Sequence, residues 1–178
     1  EIYQCDWSSD VCSSDLVFKG PRLSFKNISE STLQDWKQID DSLQGHRAEI
    51  PERLINFLRL NDVVQGALPV SRLQHLLQSA TMAYKDNRSE EYVFMALMHD
   101  VGSYLTDKNH AEVSASIVKP YLPDELTWIV GQHEVFQSYH YYEQLSLDTN
   151  AREQFRFHKN FAIAEERSEE HTSELQSH

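Results

Sequence analysis

Apolar positions recur at helical spacing along most of the chain, and polar or proline-containing breaks divide them into a series of helices. After a lead-in around Gly20-Pro21, the run Ser29-Glu30-Ser31-Thr32 predicts a helix start. Leu33, Trp36 and Ile39 form its apolar face, and it should end near Gly45. Pro51 fits the first turn of a second helix carrying Leu54, Ile55, Leu58 and Leu60, and Leu68-Pro69-Val70 breaks the chain again. Both helices read as packing elements. A third helix is predicted over about 71–84, with Leu73, Leu76, Leu77, Ala80 and Ala83 on one stripe and Gln74 and His75 beside it. Ser89 suits the cap of a fourth, whose stripe of Val93, Ala96, Leu97, Val101 and Tyr104 also takes in Asp100. His110 opens a fifth through Val118, stopped by Lys119-Pro120. Pro123-Asp124-Glu125 starts a sixth with Leu126, Ile129, Val130, His133, Phe136 and His140 on one face. A polar turn over 146–150 leads to a last helix, interrupted near His158-Lys159-Asn160. No strand-like alternation of useful length and no internal repeat occurs, so the chain is expected to be all-α.

One position on these stripes does not belong in an apolar core. Asp100 sits beside His99 in the run Met95-Ala96-Leu97-Met98-His99-Asp100-Val101-Gly102, and a buried carboxylate is costly unless something positive compensates it. No Lys or Arg lies one turn away, which points to a metal ion as the compensator. His75, His110 and His133 are also on or at the start of predicted helices near apolar stripes. Imidazole and carboxylate together suit iron, manganese or zinc, and the two oxygens of Asp100 could bridge a pair of ions. Gln74, Lys108 and His140 are weaker candidates for contact with a substrate. Solvent is the expected fate of the first two, and His140 could line the same pocket as His133. His46 and His158 read as ordinary hydrogen-bonded histidines, and Phe136, Tyr139, Tyr141, Tyr142, Phe155 and Phe157 as core.

Composition changes the picture at the two ends. Asp6–Leu16 and Arg167–Gln176 can be encoded by the two strands of one DNA segment, which resembles a sequencing-library adapter. Residues 1–16 and 167–178 are therefore expected to be artefacts flanking a single domain over 17–166, truncated at one or both ends. Those segments carry net charges of −4 and −2, leaving −6 of the −12 total, together with both cysteines, Cys5 and Cys12. The cysteine-free remainder fits a reduced, cytoplasmic compartment and excludes a disulfide scaffold or thiolate-bound metal. The acidic balance argues against a nucleic-acid partner, and no apolar run is long enough for a membrane span.

Taken together, Gln74-His75, the pair His99-Asp100, His110 in Asp107-Lys108-Asn109-His110 and His133 resemble the HD-domain superfamily of metal-dependent enzymes. The likeness covers roughly residues 68–166 and implies an HD-type helical bundle. Carried over by position, His75, His99 and Asp100 would hold one metal, and Asp100, His110 and His133 the other. The stretch from His133 through Leu147-Asp148-Thr149-Asn150-Ala151-Arg152-Glu153 is similar to the mixed-valent di-iron oxygenase branch, which includes myo-inositol oxygenase and phosphonate-cleaving enzymes. The resemblance thus implies two irons (manganese or zinc being alternatives), dioxygen and a small polar hydroxylated or phosphonate-like substrate. A phosphohydrolase of nucleotides or phosphate esters is the alternative, and a non-catalytic HD binding module a third. Two departures stand out. The family's further carboxylate ligand, an aspartate on a C-terminal helix, does not appear before Arg167, so activity of this chain is open; and Ser103 stands where a substrate-binding Lys or His often follows the pair.

Overall fold

Local signals set the first helix. In the computed structural model, which describes residues 21–63 and 69–172, α1 spans Leu33–Ala48. Thr32 caps it by accepting the Asp35 N–H at 3.3 Å, and the Asp35 carboxylate accepts the Thr32 N–H at 2.7 Å. The helix runs through Gly45 rather than stopping there, because an internal glycine costs a helix only about 1 kcal/mol. α2 (Ile50–Leu60) follows, with Pro51 in its first turn as expected. α1 buries no residue: Leu33 is 74% and Trp36 48% exposed. Its expected role as a packing element is therefore not realised, whereas α2 buries Leu58.

Contacts divide the chain into two compact units, Glu1–Leu54 and Ile55–His178, with the boundary inside α2. The second unit holds α3 (Arg72–Lys85), α4 (Glu90–Met98), α5 (His110–Val118), α6 (Asp124–Ser138) and α7 (Phe161–Thr172). Short 3-10 turns cover Asn61–Val63, Val101–Tyr104 and Ala151–Phe155. Within this unit α3 packs on α4, α5 on α6 and α6 on α7, while α6 also meets α4. No strand occurs among the described residues, and the all-α expectation holds. None of the described helices is long and apolar enough to cross a membrane. The break at Leu68, both cysteines and the 1–16 segment lie outside the described residues.

Two predicted faces turn out rotated. α3 buries His75, Leu76, Ser79, Ala80 and Ala83, whereas Leu77 is 48% exposed. Small Ser79, Ala80 and Ala83 form the inward surface of a helix that packs on α4, and His75 is on that surface rather than beside it. α4 ends at Met98, so His99 and Asp100 lie just past the helix and not on a continuous stripe. Asp100 takes φ −114° and ψ 8°, the bridge region common in functional turns, and Tyr104 ends up 38% exposed. The aromatic group is only partly core. Phe136 is buried, but Tyr139, Tyr141 and Phe157, all beyond the end of α6, are exposed.

α7 begins after the interruption at 158–160 and continues past Glu166 to Thr172. Arg167 and Ser168, within the segment expected to be foreign, are buried in the second unit.

Candidate metal centre

Four successive helices each deliver one histidine to the carboxylate of Asp100. His75 comes from the first turns of α3, His99 from the residue that follows α4, His110 from the first position of α5 and His133 from α6. Asp100, His75, His99 and His133 are buried, and His110 is 15% exposed at its side chain. His110 Nε2 and His133 Nε2 each lie 3.1 Å from Asp100 Oδ1. On the other side, His75 Nε2 and His99 Nε2 are 3.3 Å apart, and 3.8 and 4.0 Å from Oδ2. The rings stand 5.1–5.3 Å apart in succession, His75 to His99 to His133 to His110.

The backbone orients these rings for ligation. His99 Nδ1 donates to the Ala96 carbonyl at 2.8 Å and His133 Nδ1 to the Val130 carbonyl at 2.7 Å. His110 Nδ1 donates to the Asp107 carbonyl at 3.3 Å. A carbonyl can only accept, so Nδ1 carries a proton in each of these rings and Nε2 is the nitrogen that faces inward. Such anchoring of the outer ring nitrogen is what metal-ligating histidines show.

A close approach of backbone brings α5 to the site. A Cβ on Gly102 would lie 2.5 Å from the His110 carbonyl oxygen and 3.0 Å from Ser114 N and Oγ. Only glycine lets the Val101–Tyr104 turn sit this tightly on α5. The Gly102 N–H donates to Ser114 Oγ at 2.9 Å, and buried Asn61 Nδ2 reaches the Val101 carbonyl at 3.4 Å.

The electrostatics centre on one carboxylate. Burial pushes the Asp100 pKa up, but hydrogen bonds from His110 and His133 and the charges of His99 and His133 outweigh it and hold the group well below the usual carboxylate range. The hydrogen bond to Asp100 pushes His110 above its ordinary value against the opposing effect of burial. A further partner was not legible in the neighbourhood of Asp100: Arg72 Nη1 is 2.5 Å from Oδ2. No Lys or Arg lies one turn away along the chain, as expected, but a protein cation does reach Asp100 from 28 residues upstream, beside the inferred metal. The signal available was that Arg72 precedes His75 by three positions, and so shares its side of α3.

The five donors form two overlapping triads, His75–His99–Asp100 and Asp100–His110–His133, with the ligand atoms of each within 4.8 Å of one another. Bonds of about 2.0–2.2 Å to a central ion place neighbouring donors roughly 3–3.5 Å apart, so the spacing and the all-nitrogen-and-oxygen donor set fit divalent ions. Comparison with known families matches residues 72–171, more than half of the chain, to the HD domain. The chain belongs to the HD domain family. HD domains are metal-binding domains of metal-dependent enzymes, in keeping with these triads. An 82-residue stretch is 29% identical to [1-hydroxy-2-(trimethylamino)ethyl]phosphonate dioxygenase (glycine-betaine-forming) of Leisingera caerulea, covering 40% of this chain and 42% of that relative.

The remaining expected residues of this HD domain are placed less centrally. Gln74 is exposed, and its Oε1 accepts the Ser71 N–H at 2.9 Å, half of a capping box that starts α3. Lys108 is exposed in the loop before α5. Ser103 is half-buried in the turn after Asp100. His140 lies 3.4 Å from Ser168 Oγ, which with Arg167, His99, His133 and Phe136 lines a narrow cleft between α6 and α7. Burial pushes the His140 pKa down, and Arg152 adds to this. His46 contacts Arg53 in the first unit, and His158 stacks on Trp128 with centroids 4.0 Å apart, both outside the centre.

Proposed function

We propose that this chain is the core of an HD-type oxygenase that binds two irons and oxidises a small polar hydroxylated or phosphonate-like compound. The observation that carries the metal part is the shared carboxylate, with one oxygen facing His110 and His133 and the other facing His75 and His99. The oxygenase part is supported by the likeness to a phosphonate dioxygenase, and the imidazole and carboxylate donors of the two triads form a set suited to iron. Iron held there would supply Lewis acidity toward a substrate oxygen and the redox capacity for dioxygen chemistry.

The residues of the chain then have separable roles. Asp100 joins the two positions, and its low pKa keeps it ionised for binding throughout the physiological range. The Nδ1 bonds of His99, His110 and His133 hold their rings to one tautomer, so that little reorientation accompanies binding. His110, the most exposed ligand, marks the side from which a substrate would enter. His140 and Lys108 are the candidates for substrate contact, with Gln74 a weaker one because it is engaged in capping α3. A cytoplasmic location belongs to the same proposal.

The test is anaerobic loading with ferrous iron, followed by metal analysis and oxygen-electrode measurements. [1-Hydroxy-2-(trimethylamino)ethyl]phosphonate, myo-inositol and p-nitrophenyl phosphate serve as probes. The expected result is about two irons per chain and oxygen uptake with one of the hydroxylated probes. Phosphate release from the ester without oxygen would replace this reading with a phosphohydrolase, and failure to retain any metal would leave a non-catalytic HD module.

A further inference from the structure

We infer that Arg72 competes with one metal ion for Asp100, so that the two positions fill in a fixed order: Asp100–His110–His133 first, His75–His99–Asp100 second. This rests on the metal-binding reading above and concerns the unequal surroundings of the two carboxylate oxygens. Among the described residues, Oδ1 faces the imidazoles of His110 and His133, both at 3.1 Å. Their ring nitrogens are groups that can serve as metal ligands. Oδ2 instead meets the Arg72 guanidinium at 2.5 Å. A guanidinium stays protonated at any relevant pH and offers no lone pair, so it cannot turn into a ligand. It can only be displaced, and until then it repels an ion held by the same oxygen.

The donor spacing points the same way. In the first-filling position both nitrogens already sit 3.1 Å from the shared oxygen, close to the edge of a coordination polyhedron. In the other position the nitrogens are 3.8 and 4.0 Å from Oδ2, so the carboxylate or the rings must draw in. Arg72 is also placed to move. It occupies the first turn of α3, and its side chain is 26% exposed against 4% for Asp100. Once displaced, it can be solvated without leaving a buried charge behind.

The experiment is a manganese(II) titration of the metal-stripped chain, followed by electron paramagnetic resonance of free manganese and by calorimetry. Two steps at least tenfold apart in Kd are expected. His110→Ala should remove the tighter step and His75→Ala the weaker one, which assigns the order without touching Arg72. Arg72→Gln should tighten the weaker step about tenfold and leave the tighter one within twofold, while Arg72→Lys keeps the gap. Equal affinities in the unaltered chain, or loss of the tighter step in His75→Ala, would overturn the inference. So would a weaker second step in Arg72→Gln, which would make Arg72 a support of the centre. Absence of all binding would instead sink the metal reading itself.

Discussion

α1 and α3 begin in the same way and end up doing different things. Each is opened by a hydroxyl residue that caps the helix and a side chain three positions on that returns the hydrogen bond, Thr32 with Asp35 and Ser71 with Gln74. α1 then buries nothing, while α3 buries five residues, one of them His75. Capping chemistry decides where a helix starts, but chemistry at a site needs a helix face covered by neighbours that exclude water. The first unit has the former and the second has both.

The largest effect that could sharpen this contrast comes from Asp100. Asp100→Asn removes the shared charge and should reduce retained metal from two ions to near none by elemental analysis. A change of surface charge on α1, such as Asp40→Asn, should leave metal content unaltered. Retention of both ions by Asp100→Asn would break the picture of one bridging carboxylate.

Gly102→Ala comes next. The added methyl meets the His110 carbonyl at 2.5 Å, backbone that cannot swing aside. Overpacking of this kind costs about 1–3 kcal/mol in denaturant unfolding. It should also weaken the position that uses His110. Gly45→Ala on α1 meets nothing within 4 Å and should be neutral or stabilising by up to about 1 kcal/mol.

A pH series gives a middling effect with a defined sign. His110 has its folded pKa raised by Asp100, so in the metal-free chain its contribution to stability is fully present below the unfolded value of about 6.5. It is lost as pH rises through the higher folded pKa. Metal must displace the same proton, so affinity should keep climbing with pH beyond the point where an unperturbed histidine has finished titrating. Unfolding curves and metal titrations between pH 5.5 and 8.5 check both, and His110→Gln should flatten the stability slope.

The smallest effects test the capping comparison itself. Thr32→Ala and Ser71→Ala should each cost about 1 kcal/mol of local stability. Only Ser71→Ala should also reduce metal affinity, by a few fold, because the first turns of α3 carry the ligand candidate His75. Equal loss of affinity in both would show that the first unit supports the centre.

Much of the helix order was readable from periodicity and caps: Ser89 caps α4 through the Tyr92 N–H, His110 begins α5, and α6 buries Leu126, Ile129, Val130, His133 and Phe136 as the stripe foretold. The five metal-ligand candidates could be named because histidine and aspartate on apolar faces are costly to bury without a partner. Less was readable where a side chain depends on what packs against it. Leu77 and Tyr104 fit their stripes and are exposed, and Phe157 belongs to an aromatic run yet lies in solvent.

The sequence by itself determined the helices, their starts and the donor atoms, since these follow from hydrogen bonding and periodicity within a few residues of each position. Tertiary structure alone decided that Asp100 sits past the end of α4, that Gly102 brings α5 onto it, and that Arg72 occupies one of its oxygens. The physical reason is that a carboxylate's partners are set by distance in space, and the partner that offsets Asp100 most directly lies 28 residues away along the chain.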